Sequence, residues 1–378
     1  MGRSLTLAAL LLLTACKARP GPPAPAPSLV PSVEPPLAPL PERPVSGEVA
    51  FELLAVEDGA LLAWGGPSGL QIALLDAAGR ARGEALSVPG APEESVVELA
   101  GGSLGSRVGL AFVTRSATGA ASWGTLGDAE TRSFSPVFAL TAATLGDVTK
   151  RGHVGFAVSD KNEMVALVRG ADEPCAEPKG PSCAQFRFRE LLATGPEPRG
   201  LPISVPSPCS APLAGFELVK ERWHYGFCSQ ADRRPDVTTF MRQREPFYVG
   251  VATPAPGCLP LGATKVGDDA LFVFQCGDAR RGVRIGDLNA RERQVDLSAV
   301  KLECRLGRPL FSAPGTPRLA LDLSGPLGGL GPLLPQAFSA SNARAVWTGS
   351  ALLVGSWMAG KVVLRRFECR GAELARTG

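Results

Sequence analysis

The stretch Arg107-Val108-Gly109-Leu110-Ala111-Phe112-Val113, followed across a short polar segment by Ala120-Ala121-Ser122-Trp123, reads as two strands joined by a turn. Its apolar residues show no 3.6-residue recurrence, so a helix face is excluded. Valine and aromatic side chains suit a pleated surface, and small polar residues mark the turn. Outward from it the unit recurs. Leu61-Leu62-Ala63-Trp64 leads to Gln71-Ile72-Ala73-Leu74-Leu75 and the turn Asp76-Ala77-Ala78-Gly79. His153-Val154-Gly155-Phe156-Ala157-Val158 leads to Met164-Val165-Ala166-Leu167-Val168, and His224-Tyr225-Gly226-Phe227-Cys228 to Val237-Thr238-Thr239-Phe240. Ala270-Leu271-Phe272-Val273-Phe274 leads to Val283-Arg284-Ile285, and Ala351-Leu352-Leu353-Val354 to Lys361-Val362-Val363-Leu364.

These hairpins start near residues 60, 107, 153, 224, 270 and 351, giving steps of 47, 46, 71, 46 and 81. Four-stranded repeats of about 40 to 50 residues are the signature of β-propeller blades. We therefore expect residues 47–378 to form an all-β propeller of seven blades, or six, with a multi-sheet β-sandwich array as the alternative. The 71-residue step is read as an insertion of about 25 residues around Cys175 to Cys183. The 81-residue step is read as hiding a degenerate unit at Arg318-Leu319-Ala320-Leu321-Asp322-Leu323.

Eight cysteines belong to this body: Cys175, Cys183, Cys209, Cys228, Cys258, Cys276, Cys304 and Cys369. An even count in an exported chain points to disulfides. Cys209 precedes one unit and Cys228 sits in its strand, and Cys258 and Cys276 repeat that arrangement one unit later, so equivalent bonds are expected within each pair. Cys175–Cys183 would then close the Pro-rich insertion, and Cys304–Cys369 would tie the last blades together. No Cys-x-x-Cys spacing occurs and only His153 and His224 offer imidazole, so neither a metal nor another cofactor is expected.

The first residues carry a different signal. Arg3 precedes a nine-residue apolar stretch, Leu5 to Leu13, too short to span a bilayer, which takes roughly 20 residues. Leu13-Thr14-Ala15-Cys16 resembles the lipobox of bacterial lipoproteins. That resemblance implies cleavage of residues 1–15, acylation of the Cys16 sulfur and attachment to a membrane through the acyl chains. Lys17 follows in place of the Asp that retains such proteins at the inner membrane, which implies the outer membrane. Residues 20–46 hold 11 prolines among 27 residues, so 16–46 is read as a lipidated cysteine and an extended linker.

Loss of residues 1–15 removes one charge, Arg3, and leaves 38 Lys+Arg against 36 Asp+Glu, or +2. So even a balance gives no footprint for nucleic acid. Arginine outnumbers lysine 31 to 8, which together with 44 Gly and 35 Pro reads as base-composition bias. The pairs Arg233-Arg234 and Arg280-Arg281 are assigned to turns.

No catalytic constellation stands out. There is no His-Glu-x-x-His helix, and a Ser-His-Asp triad would have to use His153 or His224. Paired carboxylates remain available for glycoside hydrolysis, with Asp76, Asp268-Asp269 and Asp322 as candidates. Trp64, Trp123, Trp347 and Trp357 are assigned to packing between blades, and Trp223, next to a strand, is the candidate ligand-contacting aromatic. The function expected is a membrane-anchored, non-enzymatic envelope scaffold that binds an envelope protein or glycan; the alternative is an envelope polysaccharide hydrolase.

Overall fold

The computed structural model describes residues 50–377 apart from 67–68, 117–118, 142–153, 159–162, 175–182, 207–215, 220–221, 227–236, 242–248, 252–258, 267–268, 286–292, 298–300, 313–343 and 359–360. Every described element is a strand, and the strands form successive antiparallel meanders in chain order.

The first sheet comprises β1 (Phe51–Val56), β2 (Gly59–Gly66), β3 (Gly69–Asp76) and β4 (Leu86–Ser87). The second comprises β5 (Ser95–Leu104), β6 (Arg107–Ser116), β7 (Gly119–Asp128) and β8 (Ser133–Phe134), with β9 (Phe138–Ala139) returning to β7. The third holds β10 (Val154–Val158), β11 (Met164–Glu173), β12 (Cys183–Leu192) and β13 (Gly195–Pro206). The fourth holds β14 (Phe216–Val219), β15 (Arg222–Gly226), β16 (Val237–Met241) and β17 (Val249–Val251). The fifth holds β18 (Leu259–Val266), β19 (Asp269–Cys276), β20 (Ala279–Ile285) and β21 (Arg293–Asp296). A two-stranded hairpin, β22 (Lys301–Arg305) and β23 (Arg308–Ser312), precedes the last sheet of β24 (Arg344–Trp347), β25 (Leu352–Met358), β26 (Lys361–Arg370) and β27 (Glu373–Arg376).

Burial explains why such sheets stack. On β6, Val108, Leu110 and Phe112 pack against the first sheet, while Ala111 and Val113, with opposite parity, pack against the third. On β2, Leu61 and Ala63 face the second sheet, and Ala60, Leu62 and Trp64 face the last. A strand buried on both faces reads as a continuous apolar run, as Val108–Val113 does. Each fully buried Leu or Phe contributes about 1.5–3 kcal/mol relative to exposure, but only once a neighbour covers it. The first strands of successive sheets also touch in order: β1 with β5, β5 with β10, β10 with β14, β14 with β18. The arrangement is propeller-like, and the first sheet lies between the second and the last.

Glycines set how closely the second and third sheets approach. Gly102 and Gly109 are register partners on β5 and β6. A Cβ on Gly109 would come within 2.4 Å of Phe156 Cζ, and one on Gly102 within 2.9 Å of Phe156 Cδ1. The two form a flat floor on which the Phe156 ring rests.

Three sequence expectations are corrected. The unit at His153 is equated in the sequence with those at Leu61 and Arg107, but these lie in second strands, β2 and β6, whereas Val154–Val158 is a first strand, β10. First strands begin at residues 51, 95, 154, 216, 259, 301 and 344, giving steps of 44, 59, 62, 43, 42 and 43. The extra length near Cys175 lies largely in long strands of 10, 10 and 12 residues, β11 to β13, rather than in a 25-residue insertion. Arg280 and Arg281 belong to β20; the turn ahead of them is Gly277-Asp278. Residues 318–323, assigned to a degenerate unit, lie outside the described residues.

Candidate functional site

The enzyme reading depends on carboxylates. Asp76 ends β3, and its Oδ1 accepts hydrogen bonds from the Ala78 and Arg80 backbone N–H groups, both at 2.9 Å. Its Oδ2 accepts from Arg80 Nε at 3.0 Å. Partial burial opposes ionisation, but the Arg80 and Ala78 contacts outweigh it and hold the carboxyl below its ordinary range. Asp128, at the end of β7, plays the same part: hydrogen bonds from the Thr131 backbone N–H and the Ser106 hydroxyl depress its pKa. Asp76 is thus engaged in holding its own turn. Asp322 and Asp268 lie outside the described residues, and Asp269 opens β19 opposite Val266.

Two further carboxylates, not singled out in the sequence, lie on first strands. Glu52 on β1 is 6 % exposed and accepts a hydrogen bond from the Leu53 backbone N–H at 3.3 Å. Arg344 Nε of β24 is 3.3 Å from Glu52 Oε1, and its guanidinium carbon lies 5.8 Å from the centre of the Phe51 ring. Burial pushes the Glu52 pKa up, and the Arg344 charge and the hydrogen bonds only partly offset it. Glu98 follows the register shift at Val97 in β5, and its Oε2 accepts from the Val154 N–H of β10 at 3.2 Å. Each of these acids reaches from one sheet to its neighbour. The signal was present, as a charged residue inside an apolar strand in Phe51-Glu52-Leu53 and Val97-Glu98-Leu99.

Among the described residues, no three His, Cys, Asp or Glu side chains gather as metal ligands would. Trp64 is buried between the first and last sheets, in line with its assignment to packing. Trp123 is half-buried against the second sheet's core and donates from Nε1 to Thr114 Oγ1 at 2.9 Å. Trp223 is a backbone partner of Leu218 and Phe240 inside β15, and His224 follows it opposite Glu217 and Thr239. His153 lies outside the described residues, as do Cys16 and Arg233-Arg234.

Of the expected disulfides, Cys304–Cys369 is present, joining β22 to β26 across 65 residues of sequence. The Cys304 N–H also donates to the Ala372 carbonyl at 3.0 Å, so the hairpin β22–β23 is held against the turn between β26 and β27. Cys276 is disulfide-bonded as well, to a partner side chain outside the described residues. The pairings Cys175–Cys183 and Cys209–Cys228, and the partner half of Cys258–Cys276, fall outside them too.

The chain matches no known family model and no curated protein sequence. Among solved structures it is similar to the Dos1 propeller, with 13% identity and a TM-score of 0.42 over 83% of this chain and 67% of that one. It is also similar to the Hadza microbial sialidase Hz136, with 11% identity and a TM-score of 0.45 over 84% and 64% of the respective chains. The Trypanosoma rangeli sialidase in complex with the inhibitor DANA gives 8% identity and a TM-score of 0.45 over 86% of this chain and 55% of that one. The chain therefore spans less than two thirds of either sialidase. Identities this low say nothing about chemistry.

Proposed function

We propose that this chain is a lipid-anchored lipoprotein of the cell envelope whose closed ring of sheets works as a non-catalytic binding scaffold. The observation that carries the reading is burial of the first and second sheets on both faces. Such a body offers a partner its loops, hairpin tips and outer edges, where recognition needs no catalytic residue. The near-constant first-strand steps of 43, 42 and 43 over the last units support seven blades, with β22 and β23 opening the sixth. The Leu13-Thr14-Ala15-Cys16 motif and the Pro-rich segment after it support an outer-membrane anchor and a spacer of up to about 80 Å at 3.1 Å per residue.

The anchor is tested by replacing Cys16 with Ser and following partition into detergent. The wild-type chain is expected in the detergent phase and the variant in the aqueous phase; equal partition overturns the anchor. The scaffold is tested by incubating the purified chain with envelope polysaccharide. We expect no release of reducing ends. Release that disappears in Asp268→Asn or Asp322→Asn would establish the hydrolase reading instead.

A further inference from the structure

Among the described residues Leu306 is the only exposed large apolar side chain, at 95 % exposure. It occupies the two-residue turn of the β22–β23 hairpin, where Leu306 has φ 52° and Gly307 has φ 73°. Positive φ at both central residues defines a type I′ turn, which favours Asn or Asp followed by Gly. Leucine there is disfavoured twice, by its Cβ in the left-handed region and by its contact with water. Nothing in the fold gains from it, since no side of this residue is covered.

The surroundings give the exposed leucine a chemical context. Arg305 and Arg308 are the register pair that closes the turn, and both are exposed. Arg370, also exposed, flanks the neighbouring turn between β26 and β27, which the Cys304–Cys369 bond and the Cys304–Ala372 hydrogen bond hold alongside. Arg376 of β27 is exposed as well, and Glu303 and Glu373 are the exposed acids on the same two hairpins, so described exposed cations exceed anions by four to two; Glu303 is set back from the tip by two residues. An aliphatic side chain between two arginines on a narrow convex tip fits the boundary between anionic headgroups and acyl chains. There the leucine loses its contact with water and the guanidinium groups meet phosphate.

We propose that the Leu306 tip, with Arg305, Arg308 and Arg370, docks the body onto an anionic lipid surface. This rests on the reading of the chain as lipid-anchored, because the tether supplies the local concentration that so small a contact needs. Docking would fix which end of the stack faces the membrane and which is left for a partner.

The test uses the full chain carrying Cys16→Ser, so that no acyl chain contributes, floated with vesicles of phosphatidylcholine alone or mixed with phosphatidylglycerol. Binding is expected only to the anionic vesicles and is lost as salt is raised. Leu306→Gly, which suits the turn better, is expected to weaken partition about tenfold while leaving the melting temperature unchanged or higher. Arg305→Gln and Arg308→Gln are each expected to weaken it about fivefold. No flotation of the parent chain, flotation unaffected by Leu306→Gly, or a Leu306-dependent crosslink to an envelope protein in place of lipid would each overturn the proposal. Detergent partition of the Cys16-bearing protein tests the anchor separately, so the two failures are distinguishable.

Discussion

Arg344 Nε stands 3.3 Å from Glu52 Oε1, linking the first strand of the last sheet to the first strand of the first sheet. Beside it, the Thr348 hydroxyl donates to the Ala77 carbonyl at 2.9 Å, and Val346, Leu353 and Val362 pack on Phe51, Leu53 and Leu62. The two ends of the described body are therefore joined by side-chain packing and polar contacts. Among the described residues, the strands of the first and last sheets each come from one continuous stretch of chain.

Removing one partner of this pair should cost more than removing both. Arg344→Ala leaves the Glu52 carboxylate buried and uncompensated, and we expect a loss of about 3 kcal/mol in urea unfolding. Glu52→Gln combined with Arg344→Met should recover most of it. A double variant no more stable than Arg344→Ala would show that the pair does not act as a unit.

The same carboxylate should shape the pH dependence of stability. Its folded-state pKa lies above the ordinary value of 4.5, because burial outweighs the Arg344 charge. The folded state thus binds the proton more tightly, and stability declines as pH rises from 4.5 through the raised value, then levels. Asp76 and Asp128 act oppositely: their folded pKa values lie below 3.8, so their contribution is present above 3.8 and lost as pH falls below it. Thermal melts across pH should show both limbs, and Glu52→Gln should remove only the decline above pH 4.5.

The glycine floor under Phe156 gives a packing prediction. Gly109→Val places branched carbons where Phe156 Cζ already lies and should destabilise by about 3 kcal/mol, at the upper end for overpacked cores. Gly109→Ala combined with Phe156→Leu should be milder than the sum of its parts. Additive melting-temperature losses would mean that the second and third sheets are not in contact there.

Loss of the Cys304–Cys369 bond should be measurable on its own. For a 65-residue separation the chain-entropy estimate is about 4 kcal/mol. Cys304→Ser with Cys369→Ser should lower the urea midpoint accordingly under non-reducing conditions. An unchanged midpoint would mean that the hydrogen bond from Cys304 to Ala372 already suffices.

Much of the strand content was legible because a strand buried on both faces writes its burial into consecutive residues. Arg107–Val113 and Leu352–Val354 lie in strands where the pattern put them. The phase of the third unit was not legible. Any adjacent antiparallel pair carries the same apolar runs and turn residues, so β10–β11 looks like a second-and-third-strand hairpin until its neighbours are known. Asp76 illustrates the same gap for sites. Its type and place allowed catalysis or a turn, and three hydrogen bonds into residues 78–80 decided for the turn.

Sequence alone settled the local matters: extended structure, turns near glycine and aspartate, and an even set of body cysteines. Those follow from side-chain period, φ preference and composition, which act over a few residues. Only the tertiary structure decided that Glu52 meets Arg344, that Gly109 floors Phe156, and that Leu306 stands clear of the body. Contacts between residues distant along the chain depend on how whole sheets stack, and no short-range pattern encodes that geometry.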